Sequence, residues 1–263
     1  ELVPVAPTTW DEVRQLATTA PVALSLAGPH AFLSFASICV ALGAAGGADA
    51  TAVVPATEPG CGFVDREIGE RAFALMAELA AGMPEGAPDL NPIGLIERMR
   101  RVRDIAYVPL VYGYVNYASG PGALRFDDAP AATSGSRRGS TIGGTGIAIS
   151  RRCRPDADLV AHLAGLLDPE VQRTFIPEYA GQPGLRSAWT DDTVNAASGD
   201  FYRTTLATIE DAWVRPRVPG YIPFQSAASA LLREALLGRG SPADALNELD
   251  RAFDTLARER SVL

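Results

Sequence analysis

Residues 31–47, AFLSFASICVALGAAGG, carry no charged side chain. A helix built from this run is apolar on every face, and a helix of that kind has to be surrounded. The run is shorter than the ~18–20 uninterrupted apolar residues of a membrane span. It also runs into Gly46 and Gly47, which end helices, so it reads as a helix buried in the core of a folded domain. At 263 residues, 47% of them hydrophobic, the chain has enough apolar surface to cover it, in one large domain or two lobes.

The flanking patterns alternate between the strand and helix periods. Thr9 and Glu12 stand at capping-box spacing, and Val13, Leu16 and Ala17 continue the stripe of a helix. PVALSLAG (21–28) reads as a short apolar strand leading into the buried helix. A second amphipathic helix is expected over 64–82, with Ile68, Ala72, Leu75, Met76 and Leu79 on one face, and Asn91-Pro92 starts a third. Strands are expected at 104–117, at ALRFDDAP and at 140–150. Asp168-Pro169 joins two helices, PDADLVAHLAGLLD and PEVQRTFIPEYA, and Ser241-Pro242 opens the last of two closing helices, about 224–238 and 242–259. The alternation predicts an α/β class.

A net charge of -8 argues against a nucleic-acid partner, which favours a basic face. Candidate catalytic motifs fail in turn. Gly135-Ser136-Arg137-Arg138-Gly139 is not G-x-S-x-G, and Gly143–Gly146 lacks the GK[ST] of a phosphate-binding loop. His30 and His162 are the two histidines, and His162 lies mid-helix as a packing or surface residue. Asp127-Asp128 and Asp191-Asp192 read as loop ends and helix caps. Cys39, Cys61 and Cys153 show no metal-ligand spacing; Cys39 reads as packing, and a Cys39–Cys61 bridge stays open. No acid–base set, metal site or obligatory cofactor emerges.

Polar and aromatic groups gather instead on loops at element ends. VYGYVNY holds Tyr112, Tyr114, Asn116 and Tyr117; RPRVPGYIPFQ holds Arg215, Arg217, Tyr221, Phe224 and Gln225; His30 starts a helix. EYAGQPGLRSAW (178–189) sets Gln182, Arg186 and Trp189 among turn-forming Gly and Pro, though turning alone needs none of the three. Each tyrosine alone reads as half-buried packing with a wet hydroxyl. Together these loops suggest a small-molecule cleft, with aromatic faces for apolar or sugar surfaces and amides as donors and acceptors.

PTTWDEVRQLA, GGTGIAISRRCR, GQPGLRSAWTDDTVN, RPRVPGYIPFQSAASALLREALLG and ALNELDRAFD, in that order, resemble segments of the extracellular solute-binding proteins of bacterial ABC importers, of the carbohydrate type. The resemblance covers essentially the whole chain. It implies a two-lobed, periplasmic-binding-protein-like (type II) α/β fold that closes on its ligand by hinge bending and delivers it to membrane permease subunits. It also implies a periplasmic or extracellular location, no catalysis and a monomer. In that family the T-W-D-E helix follows the first hinge crossing. Residues 1–120 and 213–263 are therefore expected to form the C-terminal-type lobe, and 121–212 the returning part of an N-terminal-type lobe that lacks its first strands. A fragment or truncated product of a longer secreted precursor is the favoured explanation, and sheet edge and apolar surface are expected to lie uncovered.

The resemblance assigns ligand-binding roles to His30, Tyr112, Tyr114, Asn116, Tyr221 and Gln225 on the C-lobe side. It assigns Gly144, Thr145, Gln182 and Arg186 to the N-lobe side of an interlobe cleft, with GQPG holding bare backbone against the ligand. Relatives carry a histidine where this chain has Leu185, which leaves the substrate open among sugars, polyols and organic acids. Two other readings are an enzyme on a related scaffold acting on a small carboxylate or sugar, and a sensory or partner-binding module with a vestigial cleft.

Overall fold

The computed structural model describes residues 3–45, 62–111 and 113–260. The buried-helix expectation holds. Helix α2 (His30–Ala45) is preceded by α1 (Trp10–Ala17), and every residue from Ala31 to Ala41 is buried. The expected stop at Gly46-Gly47 lies outside the described residues. Helix α1 carries the full capping box, with the Thr9 hydroxyl accepting from Glu12 N and the Glu12 carboxylate accepting from Thr9 N. Helix α3 (Arg66–Ala81) is capped by Asp65 and buries Ala72, Leu75, Met76 and Leu79 along its predicted face. Helix α4 (Pro92–Arg101) is capped by Asn91 and has proline in its first turn.

The chain divides into two compact units. One comprises Glu1–Tyr112, Asp128–Ile142 and Thr208–Leu263; the other comprises Gly113–Asp127 and Gly143–Ala207. Residues 128–142, expected with the second lobe, thus fall in the first unit. There α11 (Tyr221–Leu236) and α3 both pack on α2, and α12 (Pro242–Arg260) packs on α11. Phe63 sits among Phe32, Phe224 and Phe253 with ring centroids 5.0, 6.0 and 5.4 Å away, and Trp213 lies edge-on at 6.3 Å. Truncating any one of these buried rings costs roughly 3–5 kcal/mol.

Apart from an antiparallel bridge between Ala131 and Arg138, the extended segments of this unit meet as isolated parallel bridges. Val22 pairs with Tyr107, Thr9 with Ala131, and Thr141 with Trp213. Each has two backbone hydrogen bonds, as in Ile142 N to Trp213 O at 2.9 Å and Trp213 N to Ser140 O at 2.7 Å. The longer strands expected at 21–28 and 104–117 therefore shrink to single pairings. Prolines at 21 and 109 remove ladder donors, and residues 115–117 turn as a 3₁₀ helix. The segment leading into Thr141 runs directly along α2: a Cβ on Gly139 would lie 1.9 Å from Ser37 O, so only glycine fits. The Ser37 and Thr141 hydroxyls are 3.1 Å apart across that contact. Asp128, read as a loop end, accepts from both N and Oγ1 of Thr208 at 2.7 Å.

The second unit holds α5 (Ala157–Gly165), α6 (Pro169–Arg173), α7 (Phe175–Glu178), α8 (Arg186–Trp189), α9 (Asp192–Ala197) and the start of α10 (Phe201–Asp211). The single helix expected over PEVQRTFIPEYA breaks at Thr174, because Pro177 has no N–H to offer the Arg173 carbonyl. A small core of Val115, Trp189, Val194, Phe201 and Tyr202 holds this unit together. The strand expected at 140–150 is exposed from Gly143 onward and pairs with nothing described after Thr141. Ile147 and Ile149 on it, and Val160 on α5, which buries no residue, are solvent-exposed.

Candidate functional site

In the second unit the loop 178–189 is a scaffold built largely from its own backbone. Ala180 takes a left-handed φ of 58°, and Gly181 N donates to Ile176 O at 2.8 Å. A Cβ at Gly181 would lie 2.9 Å from that same oxygen, which is why glycine follows the helix end here. Tyr202 Oη donates to Gly181 O at 2.9 Å, and burial pushes that phenol up to about 12. The indole N–H of Trp189 donates to Pro183 O at 2.8 Å, and its ring packs on Tyr202 with centroids 5.1 Å apart. Gln172, buried on α6, accepts from Gly184 N at 2.6 Å and Leu185 N at 3.3 Å while donating to Leu166 O at 2.6 Å.

Trp189 is therefore a strut of the loop. Of the expected site residues the loop displays Gln182 and Arg186, both exposed, beside an exposed Tyr179. Gln182 Nε2 donates to Gly113 O at 2.7 Å, which fixes its amide and leaves the oxygen as an acceptor. Gly113 has no room for a side chain, since a Cβ would come within 2.5 Å of the Phe201 ring. Tyr114 is half-buried and edge-on to Tyr117 at 6.4 Å, and Asn116 is exposed on the 3₁₀ turn. Gly144 and Thr145 are exposed on the segment 143–150, and a Cβ at Gly144 would meet only open space. Sterics do not demand glycine there.

In the first unit, the three residues before α2 are Ala27, Gly28 and Pro29, none with a side-chain acceptor. Ser229 of α11 supplies one instead: its Oγ accepts from Phe32 N at 3.2 Å and donates to Gly28 O at 2.6 Å. His30, the first residue of α2, is half-buried, and burial lowers its pKa, which favours the neutral imidazole. A cavity of about 380 Å³ lies beside this helix start, between Gly28-Pro29 and Ser226, Arg233 and Glu234 of α11.

Tyr221 and Gln225 stand one turn apart on α11, only 2% and 4% exposed. Tyr221 packs on Phe224 within the core, and its hydroxyl is sealed from solvent with no partner among the described residues. Gln225 Oε1 accepts from Arg215 Nη1 at 2.8 Å. Tyr112 and Cys61 lie outside the described residues. Cys39 is a buried free thiol whose pKa burial raises. His162 is exposed on α5. Among the described residues no group of His, Cys, Asp or Glu is arranged to hold a metal, and no helix is long and apolar enough to cross a membrane.

The expected residues thus gather as two sets, each within its own unit. The first unit holds His30, Tyr221 and Gln225, and the second holds Tyr114, Asn116, Gly144, Thr145, Gln182 and Arg186. Gln172 and Ser229, which hold these segments in place, and Arg215, which holds Gln225, were not among the expected site residues. Arg215 alone had a visible signal, as a cation in the loop before α11.

No family model matches the sequence, and no curated protein sequence does. Solved structures do match. A solute-binding protein of an ABC transporter from Agrobacterium radiobacter K84, in complex with ribitol, is 19% identical with a TM-score of 0.69, over 97% of this chain and 65% of that one. Maltose-bound MalE3 of T. maritima is 18% identical with a TM-score of 0.71, over 96% and 66%. The sugar-binding protein MalE of Xanthomonas citri is 14% identical with a TM-score of 0.72, over 98% and 65%. At these identities the likeness shows the fold: α/β, of the two-lobed periplasmic-binding-protein kind. The chain spans about two thirds of the length of each of these structures.

Proposed function

We propose that this chain belongs to the substrate-binding component of an ABC importer and binds a small polar solute, a sugar or polyol. The observation that carries this reading is the likeness of nearly the whole chain to binding proteins whose structures hold ribitol or maltose. The neighbours are binding proteins rather than enzymes, and the chain is read likewise as a binder without catalysis or cofactor. Its partners are then the solute and the membrane permease subunits, and its location is periplasmic or extracellular.

The geometry suits hydroxyl recognition. Gln182 keeps a fixed amide oxygen as acceptor, Asn116 offers both donor and acceptor, and Tyr114 offers a ring face with a polar tip. Isothermal calorimetry with ribitol and with maltose tests the reading. Saturable binding of either, weakened about 10-fold by Gln182→Ala through loss of roughly one net hydrogen bond, supports it. Failure of both ligands, and of a wider sugar and polyol panel, on protein shown to be folded refutes it.

A further inference from the structure

Two side chains, Arg215 in the loop before α11 and Gln225 in its second turn, share one chemical property. A guanidinium can only donate, so the bond from Arg215 Nη1 at 2.8 Å forces Gln225 to turn its oxygen toward the arginine. The amide nitrogen of Gln225 then keeps both N–H groups, with no protein acceptor among the described residues, on a side chain that is more than nine-tenths buried. Arg215 has no carboxylate partner among the described residues, and its single hydrogen bond there goes to Gln225.

Buried polar groups left without partners cost stability, and natural proteins satisfy nearly all of them. Here the unpaired groups, the two N–H of the Gln225 amide, are donors, and a cation without a carboxylate partner among the described residues stands beside them. Their complement is a compact group of oxygen acceptors with negative charge. We infer that Arg215 and Gln225 form a carboxylate-binding subsite, so that the solute is an acidic sugar or oxidised polyol, such as an aldonate or uronate, rather than a neutral one. The inference rests on the solute-binding reading and narrows it. Arg215 is the specificity-determining residue, because a planar fork engages a carboxylate in a way an amide cannot.

The test compares ligands that differ at one carbon: ribonate with ribitol and gluconate with glucitol, each titrated calorimetrically into the wild type, Arg215→Gln and Arg215→Lys. The acids are expected to bind at least about 30-fold more tightly than their polyols, the scale of one charge-assisted hydrogen bond. Arg215→Gln should erase that preference, while Arg215→Lys keeps part of it, since it retains charge without the fork. Unchanged circular dichroism in both variants shows that the fold is intact. Equal affinity for acid and polyol, or equal weakening of both by Arg215→Gln, overturns the inference and leaves the binding reading standing. If no member of the panel binds, both fall together.

Discussion

Ser229→Ala should unfasten the start of the central helix. The serine is fully buried, and its hydroxyl serves two backbone groups, Phe32 N at 3.2 Å and Gly28 O at 2.6 Å. It acts as an N-cap supplied by another helix, because Ala27-Gly28-Pro29 cannot provide one. Alanine removes both hydrogen bonds and strands the buried Phe32 N–H, while the carbonyl of Gly28, an exposed residue lining the cavity, can turn to water. With one buried donor stranded and the second bond exchanged for water, the expected loss is about 1–3 kcal/mol. Urea unfolding followed by far-UV circular dichroism measures the loss. Hydrogen exchange at the first turn of α2 locates it, with the Phe32 amide losing protection more than the amides near Val40. A change under about 0.5 kcal/mol, with Phe32 still protected, would refute the reasoning, because another acceptor would then have to serve that amide.

Two further outcomes follow from the site geometry. Trp189→Phe keeps an aromatic ring against Tyr202 but strands the buried Pro183 carbonyl, so the second unit should lose about 1–3 kcal/mol, read as faster proteolysis within 178–189. His30 has a folded pKa below its unfolded value of about 6.5, so the unfolded chain binds the proton more readily. Its contribution is complete above that unfolded pKa and is lost as pH falls through the folded one. His30→Gln should therefore flatten the drop in melting temperature between about pH 7 and 5, and an unchanged drop would exclude His30 as its source.

The helices were legible because their signals are local. Thr9 with Glu12, Asn91-Pro92 and Asp168-Pro169 each announce a start within four residues, and α2 announces its burial by lacking any polar face. The strands were over-read, since an apolar extended run such as 21–28 looks the same whether it joins a ladder or meets one residue at Val22. Contacts distant in sequence left no trace: Ser229 serving Phe32 across 197 positions, or Gly139 lying against Ser37. The loop 178–189 shows the limit most clearly. Its composition suggested a ligand surface, yet Trp189 and the backbone of Gly181, Pro183 and Gly184 are spent on internal hydrogen bonds, which leaves Gln182 and Arg186 on display beside Glu178, Tyr179 and Ser187. In the same way Tyr221, expected at a ligand, turned out to be packed in the core, because its neighbours Phe224 and Phe253 are brought together only by the tertiary fold.

The central claim is that the folded chain takes up a small polar solute. Native mass spectrometry of the purified protein, run beside its denatured mass and titrated with the sugar, polyol and sugar-acid panel, tests it most directly. A one-to-one adduct of a few hundred daltons, lost on denaturation and weakened by Gln225→Ala, is the expected result. A folded chain whose native and denatured masses agree at every ligand concentration would contradict it.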